Sequence, residues 1–293
     1  MITFTQLGRL GRLGNQLFQY AVVRAISLER GYELKIPNFY SEGLTWQNQE
    51  CQLNNFDIEC DFLEPQDFYR INNRYDEHNH AIFYHDVFKV PDNTDLHGYF
   101  QNYQYFSKYE KEIRCDFKLR EDLEEHAKEY IESLKKNNEQ IVSVHFRRGD
   151  NSDGTNSEYN NYYGQNDQLA KDSIFGQYFF KAIENFKDKK YKFLVFSGGS
   201  RKGMNHNQSD IDWCKANLDG DRFLFCEGNS DMQDFTIMKN CDHNLTTHMT
   251  SFGWWAAFIN ENPDKIVIAP KNYSIPDDGR VKYGFYPKTW RII

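Results

Sequence analysis

One stretch of the chain gathers the side chains best suited to hold an anion: Gln140-Ile-Val-Ser-Val-His-Phe-Arg-Arg-Gly-Asp150. Ile141, Val142 and Val144 form a β-branched apolar run that reads as a buried strand, and Gly149 breaks it. Successive strand residues point to opposite faces, so Arg147 and Arg148 share a side only where the strand has ended. In an α/β sheet, ligands sit at the carboxyl ends of the strands. A planar guanidinium there can grip two oxygens of a phosphate or diphosphate at once. The competing reading is an Arg-Gly-Asp turn whose arginines pair with some of the 43 acidic residues, a common and weak kind of contact. Spacing alone leaves both open.

A second polar constellation opens the chain. Gly8, Gly11 and Gly14 recur every third residue before Asn15 and Gln16. This is not the dinucleotide fingerprint G-x-G-x-x-G. A short strand over 2–5, then this loop, then a helix carrying Leu17, Ala21, Ile26 and Leu28 would still aim backbone N–H groups at an anion. Read alone, the loop serves turning only. Glu77, His78 and His80 look metal-like at first sight, but Asn72–His80 is so polar that it reads as a solvated loop. The six cysteines include no C-x-x-C pair, which argues against a zinc ribbon or redox motif. Cys226 and Cys241 read as buried thiols, and a reducing compartment is the simpler inference.

The elements that would position these groups follow from periodicity. A chain of 293 residues suits two domains of roughly 150 residues each. Beyond a helix over 120–136, strands (141 onward, 191–196, 223–226, 243–247, 265–269) alternate with helices (174–187, around 211–214, 232–238, from 250). That rhythm predicts a parallel sheet with helices on both faces. The boundary is expected near 138, giving domains 1–138 and 139–293, with the residues after Pro270 packing back on the first. The aromatic run Leu96–Phe106 is expected as a strand lining a cleft or as core. A net charge of −8 excludes a general nucleic-acid or membrane-surface binder but allows one local basic pocket. The N-terminus shows no signal-peptide pattern, and no apolar run nears the ~20 residues of a membrane span. The expectation is a cytoplasmic protein, with peripheral contact at the inner membrane as the alternative; oligomeric state stays open.

Four motifs in order, Gly11-Arg-Leu-Gly-Asn-Gln16, Gly98-Tyr-Phe-Gln101, Val144-His-Phe-Arg-Arg-Gly-Asp150 and Thr247-His-Met-Thr-Ser-Phe-Gly-Trp-Trp-Ala-Ala257, together resemble the α-1,2-fucosyltransferases of glycosyltransferase family 11. The resemblance implies an α/β, GT-B-like fold of two Rossmann-like domains facing a cleft. It implies GDP-L-fucose bound by the C-terminal domain. It also implies inverting transfer to the 2-hydroxyl of a β-galactoside-terminated oligosaccharide, with no metal and no cofactor. Asp210-Ile-Asp212 and Asp219-Gly-Asp221 have the D-x-D form but read as a helix start and a turn.

Without a metal, arginine and helix-end N–H groups must stabilise the leaving diphosphate. Arg147 is the first choice, with Arg148 supporting the loop or the fold. His145, Thr250, Ser251, Phe252, Gly14, Asn15 and Gln16 are the further donor-binding candidates, and Tyr99 and Gln101 lie on the acceptor side. Asp210 is the candidate for guanine, although Phe196-Ser-Gly-Gly199 departs from the family's F-S-D-D. Asp150, the one carboxylate inside a matched motif, is the candidate base, weighed against a structural cap of the arginine loop. Another linkage or acceptor, or a nucleotide-sugar or glycan-binding protein without turnover, are the alternatives.

Overall fold

The computed structural model describes residues 1–46, 49–149, 161–165, 168–198 and 208–293. The chain divides into two compact units, residues 1–120 with 279–288, and residues 121–278 with 289–293. Of the residues beyond Pro270, only 279–288 are thus counted with the first unit. Among the described residues, no helix is long and apolar enough to cross a membrane.

The first unit runs β1 (Ile2–Thr3), α1 (Leu13–Arg30), β2 (Lys35–Ile36), β3 (Thr45–Trp46), β4 (Gln49–Glu50), β5 (Asp61–Phe62), β6 (Asn73–Asp76), β7 (Thr94–His97) and α2 (Glu110–Asp116). β1, β7 and β6 form a parallel sheet in that order; β2 pairs with β5 in parallel, and β3 with β4 antiparallel. α1 is sunk in this unit: Leu17, Phe18, Ala21, Val22, Ala25 and Ile26 are all fully buried. Gly31 stops it in a left-handed conformation, returning its N–H to the Ser27 carbonyl, the usual glycine closure of a helix.

One expectation for this unit is corrected and a second is decided between its alternatives. Asn72–His80 is not a loop throughout, because Asn73–Asp76 pairs with β7 as the edge strand β6. Its residues alternate between half-buried and exposed, and a polar outer row is what an edge strand needs to stay unpaired. The aromatic run 96–106 is not one strand. β7 ends at His97, and Gly98 (φ 149°) and Phe100 (φ 49°) turn the chain away. Asn102 then caps a single 3-10 turn, its side chain accepting from the Gln104 N–H at 2.9 Å. Phe100, Tyr105 and Phe106 are core.

The second unit contains α3 (Glu121–Leu134), β8 (Gln140–Arg147), α4 (Ile174–Ile183), β9 (Tyr191–Gly198), α5 (Gln208–Asn217), β10 (Phe223–Phe225), α6 (Asp231–Asn240), β11 (His243–Leu245), α7 (Ser251–Ile259), β12 (Val267–Ala269) and β13 (Arg291–Ile292). α3 belongs here because it docks on α6. Lys239 Nζ and Asn240 Nδ2 donate to the two Glu124 oxygens at 2.7 and 2.9 Å, beside the apolar stripe Leu123, Ala127 and Ile131. The six strands are parallel in the order β10-β9-β8-β11-β12-β13. Counted from β8, that is the doubly wound order 3-2-1-4-5-6. β8 is buried on both faces from Ile141 to Val144, as a central parallel strand must be. The strand order reverses between β8 and β11, so the crevice outside their carboxyl ends is where this architecture holds ligands.

Candidate functional site

Every group at that crevice is set by the two strands and by the start of α7. From β8 come His145 and Arg147, and Arg148 follows directly after it. After β11 the chain passes through Thr246, Thr247, His248 and Met249 to Thr250, the N-cap of α7. Thr247 Oγ1 donates to the His145 carbonyl at 2.7 Å, tying the two strand ends together. Thr250 Oγ1 accepts from the Gly253 N–H at 3.3 Å and lies 2.9 Å from His145 Nδ1. A hydroxyl accepting one cap bond still has its own proton and a second lone pair, so it can partner Nδ1 in either tautomer and hold the ring's orientation. Desolvation, then the charge of Arg147, push the His145 pKa down to about 3. The ring is therefore neutral at physiological pH, a hydrogen-bonding group rather than a cation.

The two arginines part as strand alternation demands. Arg147 is half-buried, and its Nη1 donates to the Met249 carbonyl at 3.3 Å. Met249 takes a left-handed backbone (φ 56°), a costly conformation for a residue with a side chain. That twist turns its carbonyl onto the guanidinium while its N–H bonds the Tyr273 carbonyl at 2.9 Å. Arg148 is 4% exposed. Its guanidinium lies 3.8 Å from the Trp213 ring centroid and its Nε 3.4 Å from Asp210 Oδ1. Asp210, 0% exposed, also accepts the Gly149 N–H at 3.3 Å. Arg148, counted with the donor-binding candidates but expected to support the loop or the fold, and Asp210, expected at guanine, brace the turn after β8 from inside the protein. Ser251 and Phe252 begin α7 half-buried, where the first N–H groups of a helix lack internal partners. The Phe252 ring centroid is 5.7 Å from that of His145, and Trp254 and Trp255 behind them are core. Asp150 lies outside the described residues.

In the first unit, Gly14 is buried in the first turn of α1, and the Asn15 side chain folds back over Gly11. Gly11 has φ 88°, and a Cβ there would stand 2.2 Å from Asn15 Nδ2; only glycine leaves that room. Gln101 Nε2 donates to Asn15 Oδ1 at 2.5 Å. Gln16, expected to reach a ligand, is 1% exposed. Its Nε2 donates to the Gly11 carbonyl and its Oε1 accepts the Gln52 N–H, so it shapes the glycine loop instead. Tyr99 is half-buried, and the N–H groups of Tyr99 and Phe100 both donate to Glu77 Oε2, at 2.7 and 3.0 Å.

Sequence reasoning missed two residues here. Glu77 was taken with the polar segment around it. Arg280 is 3% exposed and donates from Nη1 to Gln101 Oε1 at 2.7 Å. No local signal marks it, because its partner is distant in the chain.

Comparison with known proteins bears on the family and the fold. The model of glycosyl transferase family 11 matches residues 3–293. An alpha-1,2-colitosyltransferase of Escherichia coli is 27% identical, covering 89% of this chain and 89% of that one. A galactoside alpha-(1,2)-fucosyltransferase 2 of Oryctolagus cuniculus is 26% identical over 92% of this chain and 70% of its own. Among solved structures, the fucosyltransferase NodZ from Bradyrhizobium superposes with a TM-score of 0.51 at 13% identity, covering 87% of this chain and 91% of that one. That likeness speaks for the fold alone, α/β and GT-B-like.

Proposed function

The chain belongs to glycosyl transferase family 11, and on that premise we propose that it transfers L-fucose from GDP-β-L-fucose to the 2-hydroxyl of a terminal β-galactoside. The transfer inverts the anomeric centre and needs no metal ion. The acceptor oxygen forms its bond to C1 as the bond from C1 to the diphosphate breaks, and the leaving diphosphate takes the electron pair. Negative charge thus grows on the β-phosphate. The observation that carries this reading is Arg147, held by the Met249 carbonyl at the carboxyl end of β8 where the strand order reverses. The first turn of α7, with Ser251 and Phe252, supplies further donors from the same unit, and the helix dipole favours an anion there. His145 offers a neutral imidazole to the donor. Asp150 is the carboxylate assigned to the acceptor's proton. In the first unit, Asn15, Gln101 and Tyr99 are assigned to oxygens of the substrates.

The test is Arg147→Ala, assayed by GDP release and by product formed on lactose. Losing one preorganised donor to a developing anion costs about 10²–10³-fold in kcat, so a loss of at least that size is expected, with the fold retained. Activity like that of the unaltered protein would overturn the reading. Linkage analysis of the product by NMR decides the 2-hydroxyl, and retained turnover in EDTA is the expected result for metal-free chemistry. The colitosyltransferase among the relatives favours one second reading, a donor carrying colitose. Offering both GDP-sugars to the same preparation separates the two.

A further inference from the structure

We propose that Arg280 is a positioning residue for this transfer: acting through Gln101, it fixes the Asn15 amide so that Asn15 presents an N–H, not a carbonyl oxygen, to the substrate. The inference rests on the proposed function for its substrate, but its geometry stands apart from it. A guanidinium only donates. The Gln101 atom 2.7 Å from Arg280 Nη1 must therefore be the carbonyl oxygen. That leaves the Gln101 NH₂ for Asn15, 2.5 Å away, so the Asn15 atom it meets is Oδ1. Asn15 Nδ2 is then the free end of the chain of bonds. It lies in the space that Gly11 leaves by lacking a Cβ, and it has no partner among the described residues. Each link has one allowed polarity, and the fixed charge of Arg280 sets all of them. With a neutral side chain at position 280, Gln101 and Asn15 could turn over together, because the two ends of an amide differ little in shape.

The middle of this relay and its charged end are both held. Glu77 accepts the N–H groups of Tyr99 and Phe100, which carry Gln101 into place. The loop can lie this close only because residue 98 is glycine, since a Cβ there would stand 2.4 Å from Glu77 Cβ. Burial raises the Glu77 pKa, while those two N–H groups and the charge of Arg280 pull it back. Arg280 itself sits on a segment fastened to the first unit. Asn102 Nδ2 and Gln104 Nε2 both donate to the Tyr283 carbonyl, at 3.0 and 2.6 Å, and the Phe285 ring stacks on Phe18 of α1. The ligand group this arrangement suits is an oxygen acceptor, such as a diphosphate or sugar oxygen.

The test is a double-mutant cycle on kcat with Arg280→Met and Asn15→Ala, plus Arg280→Lys. Arg280→Met is expected to lower kcat by about 10–100-fold with the donor KM little changed, the size of a lost oriented donor or less. Arg280→Lys, which still donates to Gln101, is expected to recover to within a few-fold. The double variant is expected to be no slower than Asn15→Ala, because residues acting as one unit are not additive. Additive losses, or Arg280→Met with unaltered kcat, would overturn the proposal. A second readout is free of turnover: the side-chain amide resonances of Asn15 and Gln101, assigned with Asn15→Ala and Gln101→Ala. They should shift in Arg280→Met and return in Arg280→Lys, and Asn15 signals that do not move would sink the relay. If the unaltered protein releases no GDP from either donor, the functional reading fails while these spectra still decide the inference.

Discussion

Two adjacent arginines share one chemistry and have different work. Arg147 is half-buried at the ligand end of β8, whereas Arg148 is enclosed by Trp213, Tyr163 and Asp210. Removing one partner of a buried ion pair strands the other and costs about 3–5 kcal/mol. Arg148→Ala and Asp210→Ala should each lose stability on that scale in urea titrations. Arg147→Ala, at a half-buried position, should lose less, on the order of 1 kcal/mol for its carbonyl bond, while losing turnover. Equal stability losses for the two arginine variants would refute the division of labour. The sequence marked the pair as a candidate anion site but not how the two arginines differ. That depends on where β8 ends, and on Trp213, which only the fold brings beneath it. The same holds for His145: its type was plain, and its neutrality comes from burial and the charge of Arg147.

At the level of elements, the α7 cap does two things with one oxygen. Thr250 Oγ1 closes the helix start on Gly253 and satisfies His145 Nδ1. Thr250→Ser keeps both bonds and should keep stability and turnover near the original. Thr250→Val keeps the shape and loses both, so it should cost about 1 kcal/mol for the cap and leave the imidazole without its orienting partner. The check is a melting curve beside a kcat measurement; a valine variant as active as the serine variant would remove Thr250 from the site. The alternating elements of the second unit were readable because buried parallel strands are continuous apolar runs and their helices keep one face. The first unit was harder. β2, β3, β4 and β5 are two residues each, too short for a period to show. β6 is polar because it is an edge, which sequence alone cannot tell from a loop.

At the scale of the whole molecule, the return of residues beyond Pro270 to the first unit was expected from the sequence, but its bounds were not legible in it. Residues 279–288 belong with the first unit although the chain around them belongs to the second, and no change of composition marks either crossing. What the fold does to acid–base behaviour is equally collective, and it yields a testable curve. Burial pushes His248 down to about 4 and, with Arg147, His145 down to about 3, from an ordinary 6.5. Both stay neutral when folded and take a proton on unfolding, so each lowers stability as pH falls below 6.5. Asp234 has the opposite sign. Burial raises it from 3.8 to about 7, against the pull of Cys226, whose Sγ donates to Oδ1 at 3.3 Å, and of Asn229. Folded Asp234 therefore keeps its proton over a range where the unfolded chain has lost it. Its contribution is full below pH 3.8 and is lost as pH rises to 7. Between pH 4 and 6.5 it offsets one of the two histidines, each group contributing on the order of 1.4 kcal/mol per pH unit. Asp234→Asn removes that offset. Relative to the variant, the unaltered protein should gain stability steadily on acidification from pH 7 to 4, and the difference should be flat above 7. Unfolding free energies of both proteins in urea at pH 4.5, 5.5, 6.5 and 8 would show it. Parallel curves would mean that Asp234 titrates alike folded and unfolded, and that the pocket around Cys226 is open to water.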